Sequence, residues 1–145
     1  MKTNNYHIQW AGEFAIAAEL SRRHYTVAFT LGSAPPPAFD LVCVAPSGCP
    51  FKIEAKGTSG RSFIRTGKAI LEMPLRKDLF LIVALVPPAP SSAFRFFIMT
   101  HEEIRRVWDE TPRAMASGEP YVPGHEGLKW KVVEPHENEW RKLPE

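Results

Sequence analysis

The stretch Phe51-Lys52-Ile53-Glu54-Ala55-Lys56 decides the fold of this chain. A strand sends alternate side chains to opposite faces. Phe51, Ile53 and Ala55 therefore share one face, and Lys52, Glu54 and Lys56 share the other. An apolar face backed by a row of charges is unusual for a strand in a small core. It makes sense where the charged face lines a site.

Upstream, residues 39–45 read as a second strand, joined to the first through the turn residues Pro46-Ser47-Gly48. Residues 25–31, rich in β-branched and aromatic side chains, read as a strand before that. The Pro35-Pro36-Pro37 run places a loop over 32–38. Residues 11–23 read as a helix, with good helix formers and no proline. Downstream, Gly57-Thr58-Ser59-Gly60 reads as a flexible connection and 66–73 as a short helix ended by Pro74. Residues 79–86 are a continuous apolar run, the mark of a buried central strand. A strand follows over 94–99, and Thr100 with Glu103 forms a capping box opening a helix to about Glu110. Residues 111–127 read as loop, 127–134 as a last strand or irregular segment, and 137–143 as a short terminal helix. The sum is an α/β fold in one domain, a mixed β-sheet flanked by helices.

The 145 residues are the size of one ordinary domain. Hydrophobic content of 44% and charged content of 23% fit a globular chain rather than a disordered one. No apolar run reaches the ~20 residues of a membrane helix. The polar start Met1-Lys2-Thr3-Asn4-Asn5 does not read as a signal peptide. Cys43 and Cys49 make no disulfide framework, so a reducing, cytoplasmic setting is expected. The net charge of +2 makes any basic surface local: Arg22-Arg23, then Arg61, Arg65 and Lys68, then Arg76-Lys77, then Arg105-Arg106.

Asp40, Val42 and Val44 share a strand face. If that face matches the Glu54 face, the two carboxylates converge. Two hard oxygen ligands suit Mg²⁺, which keeps several waters and takes further oxygens from phosphate. Lys56 then points into the same cleft, where an ammonium stabilises developing charge. Alone, Glu54-Ala55-Lys56 reads as an exposed face of ion pairs, since Glu-x-Lys is common; the combination with Asp40 carries the reading. On the first helix, Glu13 lies beside the stripe of Ile16, Ala17 and Leu20. A carboxylate there needs a compensating charge, either a cationic site nearby or the helix N-terminal dipole. Glu19, spaced for pairing with Arg22 and Arg23, reads as solvated.

Taken together, Gly12-Glu13 with Ala17, Ala18 and Leu20, then Phe39-Asp40-Leu41-Val42, then Phe51-Lys52-Ile53-Glu54-Ala55-Lys56-Gly57-Thr58, resemble the PD-(D/E)xK nuclease superfamily, over roughly residues 10–100. The resemblance implies a restriction-endonuclease-like αβββαβ core at about 10–110, with 111–145 as a C-terminal extension. It implies a Mg²⁺-dependent endonuclease, Mn²⁺ substituting, with Glu13, Asp40, Glu54 and Lys56 in the catalytic positions and Asp40 and Glu54 on the metal. Phe39 stands where many members carry Pro, and Ala55 where Val is usual; neither position does chemistry. The expected partner is nucleic acid, DNA first, with no membrane. Cutting two strands admits a homodimer. Thr58, Ser59, Arg61, Arg65 and Lys68 are candidates for phosphate contacts, though each also suits a polar loop. The competing function is a nuclease-fold module that binds nucleic acid or a protein without cleaving. His101, Glu102 and Glu103 read as a helix start, His125-Glu126 as loop, His24 as a helix end, and Trp108, Trp130 and Trp140 as core or interface.

Overall fold

The apolar run expected as a central strand is β5, Leu79–Leu85, buried on both faces until its last residue. The computed structural model describes residues 5–30, 39–110 and 126–145. Around β5 stands a five-stranded mixed sheet. β1 (Thr26–Phe29), β2 (Leu41–Val44) and β3 (Pro50–Thr58) form an antiparallel meander. β3 then runs parallel to β5, which pairs antiparallel with β6 (Arg95–Thr100). Between β3 and β5 lie a short strand β4 (Ile64–Arg65) and the helix α2 (Lys68–Glu72). The helix α3 (His101–Glu110) follows β6 directly. Its capping box is formed: the Thr100 N–H donates to Glu103 Oε2 at 2.9 Å, and the Glu103 N–H donates to Thr100 Oγ1 at 3.1 Å. The molecule is one α/β domain, as the sequence implies.

Helices cover both faces of the sheet. The first helix, α1 (Asn5–Arg22), places Ile16 and Leu20 against Leu41, Phe51, Ile53, Ala55, Phe80 and Ile82. The opposite face packs Leu79, Leu81 and Val83 against α2, α3 and α4 (Trp130–Val133). The register aligns Glu54 with Leu81 and Lys56 with Val83. The charged face of β3 is therefore the face of this second cluster.

Several boundaries depart from expectation. α1 includes Asn5 to Trp10, six residues more than the sequence suggests; the aromatic and His residues there carry no helix signal of their own. Its far end closes as expected near His24, which takes φ 69°, while the His24 N–H donates to the Ser21 carbonyl and the Tyr25 N–H to the Leu20 carbonyl. Gly57 and Thr58 belong to β3 rather than to a flexible connection. Residues 127–134 divide into β7 (Gly127–Leu128), which pairs with β4, and α4, rather than forming one strand. The terminal helix is only a 3-10 turn, Trp140–Lys142. Trp108, Trp130 and Trp140 are all buried. His125 and the first part of the C-terminal loop lie outside the described residues.

Candidate active site

β3 is longer than its partner β2, and this mismatch builds the site. The ladder of β2 on β3 stops at Leu41 opposite Ile53, with one further bond from the Asp40 N–H to the Ile53 carbonyl at 3.1 Å. Past that point β3 would present unpaired backbone groups, which must find partners. The Asp40 carboxylate accepts the Ala55 N–H at 2.8 Å. The side-chain amide of Gln9 then takes over: its Nε2 donates to the Ala55 carbonyl at 2.9 Å and its Oε1 accepts the Gly57 N–H at 3.0 Å. A helix-borne amide thus stands where the next peptide of β2 would be. Glu54 and Lys56 flank the residue held from both sides.

α1 can come this close because two glycines meet. A Cβ on Gly12 would lie 2.4 Å from Gly57 Cα, and one on Gly57 would lie 2.3 Å from the Ile8 carbonyl oxygen. No side chain fits at either position without moving the helix. The contact sets Gln9 on the β3 edge and Glu13, one turn on, against Asp40.

Glu13, Asp40, Glu54 and Lys56 are brought together. Lys56 Nζ lies 2.9 Å from Glu54 Oε1, with side chains 23% and 13% exposed. Glu13 shares a hydrogen bond with Asp40. Three carboxylates thus face one ammonium. Burial first, then the charge of Asp40, raise Glu13 from its ordinary 4.5 to about 7, against the pull of Lys56. Glu54 is also raised, mainly by burial, with Lys56 opposing. Glu13 lies two turns inside α1, so the helix N-terminal dipole does not account for it; its neighbour is the site itself.

The other sequence candidates separate into two sets. Thr58, Ser59 and Arg65, with Lys56, Gln9 and Asn5, line an open cleft of about 660 Å³ beside α1. Arg61 lies toward Glu137, whose carboxyl it helps to lower after Arg95, and Lys68 pairs with Glu72 at 3.5 Å; neither lines the cleft. His101 is buried and structural, contacting the Ile70 carbonyl through Nε2 at 2.7 Å and accepting the Arg76 N–H at Nδ1 at 2.9 Å. Burial lowers its pKa. Glu103 serves the cap and Lys142. The residue that sequence reasoning missed is Gln9. Its one signal is the i, i+4 spacing to Glu13, which is legible only once the helix is known to start before it.

Among the described residues, no group of three or more His, Cys, Asp or Glu side chains forms a cage for a metal ion. The donor set suits a hard cation nonetheless. Mg²⁺ is held by one or two carboxylates together with water and phosphate oxygens rather than by an all-protein cage. Burial first, and then the neighbouring Asp40 carboxylate, disfavour charge on Glu13, and a cation held between the carboxylates would oppose both. No family model matches this chain, nor does any curated protein or solved structure. No helix among the described residues is long and apolar enough to cross a membrane.

Proposed function

We propose that this protein is a metal-dependent nuclease that hydrolyses phosphodiester bonds of DNA on a restriction-endonuclease-like core. One observation carries the reading: Asp40, Glu54 and Lys56 converge where β2 ends and β3 continues, with Glu13 brought onto them from α1. The order of elements supports it as well. A helix, an antiparallel meander, a helix and a strand parallel to the third strand of the meander follow one another, with only β4 interposed.

Asp40 and Glu54 are the residues that would hold Mg²⁺ or Mn²⁺, which when bound supplies an activated water and shields phosphate charge. Lys56, restrained by Glu54, presents N–H donors to the charge that grows on the phosphate. Glu13 stands against Asp40 and helps to set the position of that carboxylate. Gln9 touches no reacting group; it fixes the backbone that carries Glu54 and Lys56.

The test is incubation with labelled duplex, single-stranded and four-way-junction DNA, with Mg²⁺, Mn²⁺ or EDTA. Metal-dependent cutting is expected, and Lys56→Ala should slow it roughly 10²–10³-fold, as loss of one transition-state donor does. Cutting that persists unchanged in both Lys56→Ala and Asp40→Ala would sink the proposal. No cutting, with no Mn²⁺ binding by calorimetry, would favour a module that binds without cleaving.

A further inference from the structure

Two features next to the site have no role in the chemistry above. The first is the cleft, which begins at Lys56 and continues past Thr58 and Ser59 to Arg65. Ammonium, hydroxyls and guanidinium are the groups that hold phosphates. The second is a row of aromatic rings along one flank of α1. Tyr6, Trp10 and Phe14 repeat at every fourth residue, with ring centroids 6.0 and 5.4 Å apart; Tyr6 meets Trp10 edge-on at 70°, and Trp10 and Phe14 lie stacked at 25°. Phe29 of β1, 5.4 Å from Phe14, extends the row onto the sheet. Aromatic pairs at this spacing stabilise a helix by only a few tenths of a kcal/mol. Tyr6 and Phe14 nevertheless remain 63% and 56% exposed. Trp10 and Tyr6 stand three and seven residues before Glu13, on its side of α1, so the row runs along the flank of the helix that carries Glu13 to Asp40.

We infer that the protein takes an unpaired DNA strand, with phosphates in the cleft beyond Lys56 and bases stacked on the Tyr6–Trp10–Phe14 row. The inference rests on the nuclease reading for the position of the cut. Exposed rings attract a base only where its face is free, and in a duplex the neighbouring pairs cover both faces. A cationic polar cleft and an aromatic platform on the two sides of one site are the two parts of a single-strand track.

The experiment measures binding, apart from cleavage. Fluorescein-labelled oligo-dT and a matched duplex are titrated with the full chain in EDTA by anisotropy, while tryptophan emission is followed with unlabelled oligo-dT. Trp10 is only half-buried, and the other three tryptophans lie in the core, so quenching reports on Trp10. The single strand should bind about tenfold or more tighter than the duplex and quench the emission. Tyr6→Ala and Phe14→Ala, both at exposed positions, should each weaken it roughly 5–10-fold. Arg65→Gln should weaken it and flatten its salt dependence. Duplex bound as tightly as single strand, or ring variants that bind oligo-dT like the parent, overturns the inference. Preference for oligo-U overturns its assignment to DNA. Duplex cut with no single strand bound removes this inference and leaves the nuclease reading; neither form bound and neither cut removes both.

Discussion

At the scale of the residue, Glu13 bears the consequence of crowding three carboxylates around one ammonium. Its pKa of about 7 in the folded protein stands above the ordinary 4.5, because burial and Asp40 both disfavour its charge. The unfolded chain gives up this proton near 4.5, whereas the folded chain keeps it to about 7. A raised carboxyl therefore subtracts stability as pH rises from about 4.5 to about 7, and the penalty stays in full above that. Glu13→Gln removes the titration. In metal-free buffer at pH 8 the variant should be more stable than the parent by about 1 kcal/mol after allowance for solvent screening. At pH 4 the two should melt together. Thermal melts at both pH values check this; a variant less stable at pH 8 would mean that the Glu13 carboxylate is paired rather than crowded. Glu54 and Lys56 were legible in the sequence as members of a charged strand face, and Asp40 as the carboxylate of the neighbouring strand. Their charge imbalance was not, because it depends on how far each is buried and on a hydrogen bond between α1 and the start of β2.

At the scale of the element, the site depends on how closely α1 lies on β3. The alternation in β3 and the apolar run of β5 made those strands legible in the sequence, since a period of two and an unbroken apolar stretch of strand length both belong to sheets. The start of α1 was hidden, and Gln9 with it, because Gln9 acts through a strand edge left open by a difference in strand length. The β4–β7 pairing was hidden as well: two-residue strands joined across some sixty positions leave no periodic trace. Gly12 and Gly57 read as ordinary small residues until the helix is seated on the strand. Gly12→Ala would set a Cβ 2.4 Å from Gly57 Cα, against backbone that cannot yield. The expected cost is about 1–3 kcal/mol, the range for overpacking, read as a lower denaturant midpoint. The displaced helix should also carry Glu13 off Asp40; under the proposed nuclease function, metal-dependent cutting should then fall even where the variant is fully folded. Gln9→Ala tests the other half of the contact. It leaves the Ala55 carbonyl and the Gly57 N–H without their partner, for about 1–3 kcal/mol. A Gln9→Ala protein as stable as the parent would mean that water replaces the amide at no cost.

At the scale of the molecule, residues 137–143 cover the sheet edge that lies farthest from the meander. β6 is the edge of the sheet opposite β1, and an uncovered edge invites pairing with another chain. Here the Asn138 N–H donates to the Phe96 carbonyl at 2.9 Å, Phe97 bridges to Glu137, and Arg95 holds the Glu137 carboxylate through two bonds of 2.7 and 2.8 Å. Lys142 ties the same segment to the Ile98 carbonyl, to Glu103 at the head of α3, and to His136 Nδ1. Trp140 anchors it all. It lies in the cluster beneath α1 with Leu143, against Phe96 at 5.4 Å, and the Arg23 guanidinium covers its ring at 4.3 Å. Its burial was foreseen; its role as a clamp on the edge strand was not, because a tryptophan in a polar tail says nothing of where the tail docks. Trp140→Ala should cost about 3–5 kcal/mol, as truncation of a buried aromatic does, a large part of the roughly 5–15 kcal/mol typical of a domain. Because the clamp also shields β6, the loss should appear twice: as a fall of roughly 10–20 °C in Tm, and as concentration-dependent association by light scattering below that temperature. A variant that melts lower yet associates no more than the parent would show that the backbone bonds of Glu137 and Asn138 guard the edge without the ring.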